Sequence, residues 1–531
     1  MAGDGRGDGP RGSGPRGSGP RGTGPRGAGP RGGGPWGGRD GQGPRGQAPR
    51  RDADARDRAP ARERLRSADP ARTAAYRVLQ QVREADAYAN LALPVVLREL
   101  RLKGRDAAFA TELTYGTLRQ LGLYDAVLAT LVDRPLDRVD GPTRDVLRLG
   151  VHQLLGMRVP DHAAVASTVG LARQEVGTGA SGLVNAVLRR VAERDLDAWL
   201  EVVAPAVTGA GRAADDALAV RHSHPRWVVR ALRQALVSHG RDAAETEALL
   251  RADNAPADVA LLARPGLVDP AALVAAGGRT GRWSPYAVTL PSGAPGELVD
   301  VRESRARVQD EGSQLVTLAL AAAPLDPPAE GAERWLDLCA GPGGKSSLLS
   351  ALARREGHRG TSVEVSRHRA ELVRQAVAGA EDVWDVRTGD GRAVGEDEPA
   401  AYDRVLVDAP CTGLGALRRR PEARWRRTPD DLAALAPLQR DLLRAGLTAT
   451  RPGGVVAYVT CSPHPAETGL VVDDVVRRAA RDGIGATVLD AGDALEAAVG
   501  EVPGARAGSH VQLWPHVHGT DGMFLALLRR T

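Results

Sequence analysis

The stretch Leu336-Asp337-Leu338-Cys339-Ala340-Gly341-Pro342-Gly343-Gly344-Lys345-Ser346 decides how the C-terminal half of this 531-residue chain is read. An apolar run enters it, three glycines and a proline follow, and a helical pattern leaves it. Glycines at such a turn let backbone approach a ligand closely, and the start of the helix offers free N–H groups. Two familiar loops do not fit. A Walker A loop needs glycine where Cys339 stands, and a GxGxxG dinucleotide fingerprint is not matched. An ordinary tight strand-to-helix turn stays open on this stretch alone.

Working outward, short apolar runs at 334–339, 360–365, 383–387, 402–408 and 454–460 alternate for the most part with helical patterns. That rhythm predicts a mostly parallel sheet flanked by helices, with the ligand at the carboxyl ends of the strands. Acids fall at those ends. Glu364 closes the second run, 27 residues after Asp337; Asp390 follows the third in Thr388-Gly389-Asp390-Gly391; Asp408 closes the fourth. A carboxylate there can accept hydrogen bonds from both hydroxyls of a ribose. One such acid would read as a solvated loop residue or helix cap. Acids after three further strands, in register with the glycine loop, favour a nucleoside pocket and the first motif of a class I methyltransferase.

The chain has three cysteines, and all of them lie at strand ends: Cys339, Cys411 in Asp408-Ala409-Pro410-Cys411-Thr412-Gly413, and Cys461 in Thr460-Cys461-Ser462-Pro463. Most cysteines are small buried hydrophobes. A thiolate, however, is a strong nucleophile suited to attack on an electron-poor ring. Their spacing fits neither a disulfide framework nor a zinc pattern, which predicts no metal and a reducing, cytoplasmic setting.

The N-terminal half differs. Residues 9–33 are five tandem copies of Gly-Pro-Arg-Gly-X. Residues 1–50 hold nine Arg against three acids, so the +5 formal charge resides in this stretch and the remainder is near −1. Residues 1–67 are expected to be a disordered basic tail, either touching RNA phosphates or a tolerated low-complexity extension. An all-helical bundle is expected over 68–194, where Ala75, Val78, Leu79 and Val82 form one helical face. An acidic, Ala/Gly-rich linker is expected at 195–219, a small α/β region at 220–302, and the catalytic domain at 303–531. No apolar run approaches the length of a membrane span, and a monomer is expected. Only Lys103 and Lys345 are lysines, so a lysine retained in this Arg-biased chain is informative.

Six arginines lie between Arg418 and Arg427, directly after the Asp-Ala-Pro-Cys motif. Arg418, Arg419, Arg420 and Arg424 could pair phosphates and Trp425 could stack on an unpaired base, at the mouth of the site. An Arg-rich surface loop is the alternative.

Taken in order, Asp-Leu-Cys-Ala-Gly-Pro-Gly-Gly-Lys-Ser, Asp-Ala-Pro-Cys-Thr-Gly and Thr-Cys-Ser-Pro resemble the bacterial ribosomal RNA cytosine-5 methyltransferases of the Sun/Fmu, RsmB-like family. Val159-Pro160-Asp161-His162-Ala163-Ala164-Val165 and Leu183-Val184-Asn185-Ala186-Val187-Leu188-Arg189 resemble that family's NusB-like RNA-binding domain, and Asp521-Gly522-Met523-Phe524-Leu525-Ala526 resembles its last hairpin. The resemblance implies a NusB-like bundle ahead of a Rossmann-like class I methyltransferase domain, with S-adenosylmethionine as cofactor and RNA, above all 16S ribosomal RNA, as substrate. It implies that Cys461 adds to carbon 6 of cytosine, that Cys411 helps release the product, and that Asp408 binds the N3/N4 edge of the base. It assigns cofactor contacts to Cys339, Ala340, Gly341, Pro342, Gly343, Gly344, Lys345, Glu364, Asp390 and Asp408, with Glu364 and Asp390 on ribose and adenine. The chain departs from the family pattern at Glu364, where Asp is common, at Glu467-Thr468-Gly469, which keeps one acid of a usual cluster, and at Ala166-Ser167. A transfer RNA substrate, or a non-catalytic NusB-like antitermination factor, are the competing readings; the intact motifs count against the latter.

Overall fold

The computed structural model describes residues 69–207, 211–291 and 293–531. The expected tail at 1–67 lies outside the described residues.

The first part is helical. Helices Pro70–Glu84, Ala89–Glu99, Gly104–Arg119, Leu121–Ala129, Gly141–Leu155, Asp161–Glu175 and Thr178–Val191 share one apolar core that includes Ala75, Val78, Leu79, Leu113, Leu147 and Leu188. Their starts are written in the sequence. Asp69 and Asp140 each precede a first-turn proline and accept a backbone N–H, from Ala71 at 2.8 Å and from Thr143 at 2.9 Å.

The expected linker at 195–219 is instead mostly helix, Leu196–Val203 and Arg212–Arg221. Trp199 is buried and its indole N–H donates to the Val191 carbonyl at 3.0 Å. Asp215 is buried against Arg230 and Arg233. The alanines that suggested a linker are strong helix formers, and Asp215 has two arginine partners.

Helices Arg226–Ser238 and Thr246–Asn254 lead into a small antiparallel sheet. Its strands are β1 (Val259–Ala263), β2 (Arg279–Thr280), β3 (Ala287–Leu290) and β4 (Ala306–Val308), in the order β2-β3-β1-β4. The expected boundary at 302/303 therefore cuts through this sheet, because β4 pairs with β1.

Beyond it come β5 (Arg334–Asp337), β6 (Arg359–Glu364), β7 (Trp384–Thr388), β8 (Tyr402–Asp408), β9 (Thr450–Thr460), β10 (Ala486–Leu489), β11 (Arg506–Ala507), β12 (His510–Gln512) and β13 (Phe524–Arg530). Among the described residues they form one sheet in the order β11-β12-β13-β9-β8-β5-β6-β7, with β10 on β13. The five strands β7-β6-β5-β8-β9 are parallel and β13 closes antiparallel on β9. The chain leaves β5 toward β6 and β7, then returns to the other side of β5 for β8 and β9. The gap between the ends of β5 and β8 is thus the topological switch point, where such sheets bind ligands. None of the described helices is long and apolar enough to cross a membrane.

Candidate active site

The sheet order turns sequence order into a row. Along the carboxyl ends of β7, β6, β5, β8 and β9 stand Asp390, Glu364, the glycine loop, Asp408 and Cys461.

The glycine loop is shaped by close approach. A Cβ on Gly341 would lie 2.4 Å from a Glu364 carboxylate oxygen. Gly343 has φ +103°, and a Cβ there would meet the Ala376 methyl at 2.4 Å. Glu364, buried, accepts from the Gly341 N–H at 3.0 Å and the Ser366 N–H at 2.8 Å, and pairs with Arg369 at 2.7 Å. Three of its roughly four acceptor positions are thereby used. Glu364 thus braces the loop as well as standing at the expected ribose position. Asp390 is exposed and chelated by the Arg392 guanidinium and backbone N–H, which hold its carboxyl below the usual range.

Lys345, on the first turn of helix Gly344–Glu356, crosses the switch point. Its ammonium donates to Asp408 at 2.7 Å. Burial works against its charge, but Asp408, and then Cys461 and Asp337, outweigh burial and raise its pKa. Asp337 is buried, accepts from the Ser346 hydroxyl at 2.6 Å, and is pushed up to about 7, chiefly by burial. Burial, then the charges of Asp337, Asp408 and Glu364, hold the Cys339 thiol well above its ordinary pKa. Cys339 thus keeps its proton more tightly than an ordinary thiol, which disfavours it as a nucleophile.

The other two thiols differ. Cys411 Sγ and Cys461 Sγ are 3.4 Å apart. The Cys461 pKa is lowered by the hydrogen bond from Cys411 and by the positive charges of Lys345 and Arg420, against burial and Asp408. Cys411 is raised by the same contact, by burial, and by Glu467 and Asp408. Within this pair the Cys461 thiol is lowered and the Cys411 thiol raised, and the contact between the two sulfurs is the first cause of both shifts.

Sequence reasoning missed two residues here. Glu467 is 0% exposed and grips the Cys411 loop; its sequence signal, the surviving acid after Thr-Cys-Ser, was visible but carried no geometry. Gln309 follows β4 and lies beside the glycine loop: a Cβ on Gly344 would be 3.8 Å from its amide nitrogen. The buried Gln309 Oε1 has no hydrogen-bond partner among the described residues. An isolated glutamine leaves no signal in sequence.

This donor set fits S-adenosylmethionine. Asp337, Glu364 and Asp408 crowd one thiol and complement a sulfonium cation, the unpaired Gln309 Oε1 can accept from an amino group, and the helix start at Gly344 can receive a carboxylate.

The arginine segment is largely paired within the chain. Arg424 is 0% exposed; it donates to the carbonyls of Ser223 and Asp253 and to Asn254 at 2.7 Å, so it ties helix Thr246–Asn254 to the catalytic part. Arg419 bridges Asp310 at 2.7 Å and Asp521 at 3.1 Å, with Arg418 behind it at 3.8 and 3.9 Å. Trp425, 37% exposed, is laid on the helical part: a Cβ on Gly122 would come 2.3 Å from its ring. Arg418, Arg419 and Arg424 thus have carboxylate or carbonyl partners within the chain, while Trp425 packs beside Gly122 and keeps part of its ring exposed. Arg420 remains exposed, over the Tyr88 ring at 5.2 Å and close enough to Cys461 to lower its pKa.

Comparison with known proteins agrees with this architecture. The 16S rRNA methyltransferase RsmB/F family model matches residues 323–529 and the NusB family model matches residues 69–193. A putative methyltransferase of Mycobacterium tuberculosis (strain H37Rv) is 50% identical over 471 residues, 88% of this chain and 98% of the relative. The probable ribosomal RNA small subunit methyltransferase B of Bacillus subtilis (strain 168) is 30% identical over 473 residues, 86% and 98% of the two chains. The crystal structure of PH0851 shares the fold, with a TM-score of 0.69 at 19% identity over 87% of this chain and 99% of that one. The chain belongs to the RsmB/F family of S-adenosylmethionine-dependent RNA methyltransferases, with a NusB-family helical domain ahead of the methyltransferase domain.

Proposed function

We propose that the chain methylates carbon 5 of a cytosine in 16S ribosomal RNA, through a covalent bond between Cys461 and carbon 6 of the base, in the cytoplasm. The observation that carries this reading is the pair of thiols 3.4 Å apart, with the lower pKa on Cys461. Carbon 5 of cytosine is a poor nucleophile until a nucleophile has added at carbon 6. Cys461 supplies that nucleophile as a thiolate at a pH where an ordinary thiol is protonated. Asp408, one oxygen on Lys345, can accept from the N4 amino group and from a protonated N3, and it is that N3 proton which neutralises the negative charge the addition places in the ring. Bound at the glycine loop, S-adenosylmethionine supplies an electrophilic methyl group.

Release needs the carbon 5 proton removed to solvent or a base, its electrons forming the ring double bond as the carbon–sulfur bond breaks. The Cys411 S–H is placed to stabilise the departing Cys461 thiolate. The ribosomal substrate is supported by the relatives named above and by the NusB-family domain.

The test is a pair of variants assayed with S-adenosylmethionine and small-subunit RNA. Cys461→Ala is expected to abolish methylation and form no adduct. Cys411→Ala is expected to methylate once and stall as an enzyme–RNA adduct that survives denaturing gels. An adduct with Cys461→Ala would reverse the roles, and two active variants without adduct would remove the covalent mechanism.

A further inference from the structure

Two loops must meet for the thiols to face each other, and one buried carboxylate joins them. Glu467 lies six residues after Cys461, in the short turn Pro465–Glu467. Its Oε1 accepts from the Thr412 N–H at 2.8 Å and from Gln439 Nε2 at 3.2 Å, and its Oε2 accepts from the Thr412 hydroxyl. Gln439 Nε2 also donates to the Pro410 carbonyl at 2.9 Å. Both neighbours of Cys411 are thus held, Thr412 directly and Pro410 through Gln439. The Cys461 side is fixed as well: the Tyr458 hydroxyl donates to the Glu467 carbonyl at 2.9 Å, and Gly415 N–H donates to the Cys461 carbonyl at 2.9 Å.

We propose that Glu467 is a positioning residue whose buried carboxylate holds Cys411 in register with Cys461 and so gives the two thiols different jobs. The division of roles rests on the covalent reading above. The geometric clamp itself does not. A carboxylate without solvent access, bonded to the amide after Cys411, also places negative charge beside that thiol, and this charge is among the causes that keep its proton on. The arrangement makes Cys411 a donor and leaves Cys461 as the acceptor that becomes nucleophile. A neutral group of the same shape would keep Thr412 in place yet remove the bias.

The experiment uses the full chain and iodoacetamide, with the labelled peptides resolved by mass across a pH series. In the wild type Cys461 is expected to label at lower pH than Cys411, with Cys339 last. Glu467→Gln is expected to bring the Cys411 midpoint down by about one pH unit, as removal of an adjacent charge does, with Cys339 unmoved. In turnover with RNA it is expected to slow release and accumulate the denaturation-resistant adduct while S-adenosylmethionine affinity stays unchanged. Should Glu467→Gln fail to fold, Glu467→Asp, which draws the charge back from the Cys411 loop by one methylene, is expected to shift Cys411 the same way by a smaller step. An unmoved Cys411 midpoint in the folded variant overturns the proposal. If Cys411→Ala yields no adduct on any RNA, the covalent reading falls, and the labelling midpoint still decides whether the clamp exists.

Discussion

The glycine loop at 339–345 and the arginine segment at 418–427 both stand out in the sequence, and the structure treats them in opposite ways. The loop stands at the switch point of the sheet, with Gly341 and Gly344 half-buried, the unpaired Oε1 of Gln309 beside it and Lys345 reaching across to Asp408. The arginine segment, by contrast, has spent most of its charge on the protein. Arg418, Arg419, Arg424 and Arg426 are engaged with carboxylates or carbonyls from every other part of the chain, and Glu422 accepts the N–H of Ala89 at 3.1 Å at the head of a helical-domain helix. A residue type that marks nucleic-acid contact at a surface marks architecture when buried. Only its partners distinguish the two.

The sharpest way to break this comparison is Arg424→Ala. Removing its guanidinium leaves the buried acceptors of Ser223, Asp253 and Asn254 without their donor, and a loss of about 3 kcal/mol or more in unfolding free energy is expected. Chemical denaturation of the variant measures it. A stable protein with weakened RNA binding would return Arg424 to the RNA surface.

On the other side, Lys345→Met sharpens the role of the loop. Lys345 lowers the Cys461 pKa, so its loss raises that pKa and leaves less thiolate at neutral pH. Single-turnover rate at pH 7 is expected to fall about tenfold for each pKa unit gained, and to recover as pH rises through the new value. A pH–rate profile parallel to wild type would separate Lys345 from the thiolate. The smallest effect is expected for Arg420→Ala. Stability should change by less than about 0.5 kcal/mol, since the side chain is exposed. The salt dependence of RNA binding should fall by a slope of about one if it meets a phosphate, read from affinities at several salt concentrations.

What was legible follows the same division. The five parallel strands could be placed from apolar runs, because strand, turn and helix alternate with a period that local chemistry enforces. The acids and cysteines at their ends were visible because the motifs are contiguous. The fate of Arg424, the helices at 196–203 and 212–221, and the placing of Gln309 on the glycine loop were not. Each depends on a partner tens to hundreds of residues away, Asp253 and Asn254 for Arg424, Arg230 and Arg233 for Asp215, Ala260 for the strand that carries Gln309. Glu467 lies between these cases. Its position in the motif could be read, whereas the Thr412 contact that gives it meaning could not.

Leu414, Leu417, Ala423 and Trp514 from the catalytic part share one apolar core with Val228, Leu232, Leu236, Leu249 and Leu250 from the preceding helices. A laboratory that trims the gene to the methyltransferase half will therefore uncover the oily underside of the very loop that bears Cys411. Fragments beginning near residue 303 should come out of expression as aggregates, whereas one beginning near residue 212 retains the cover.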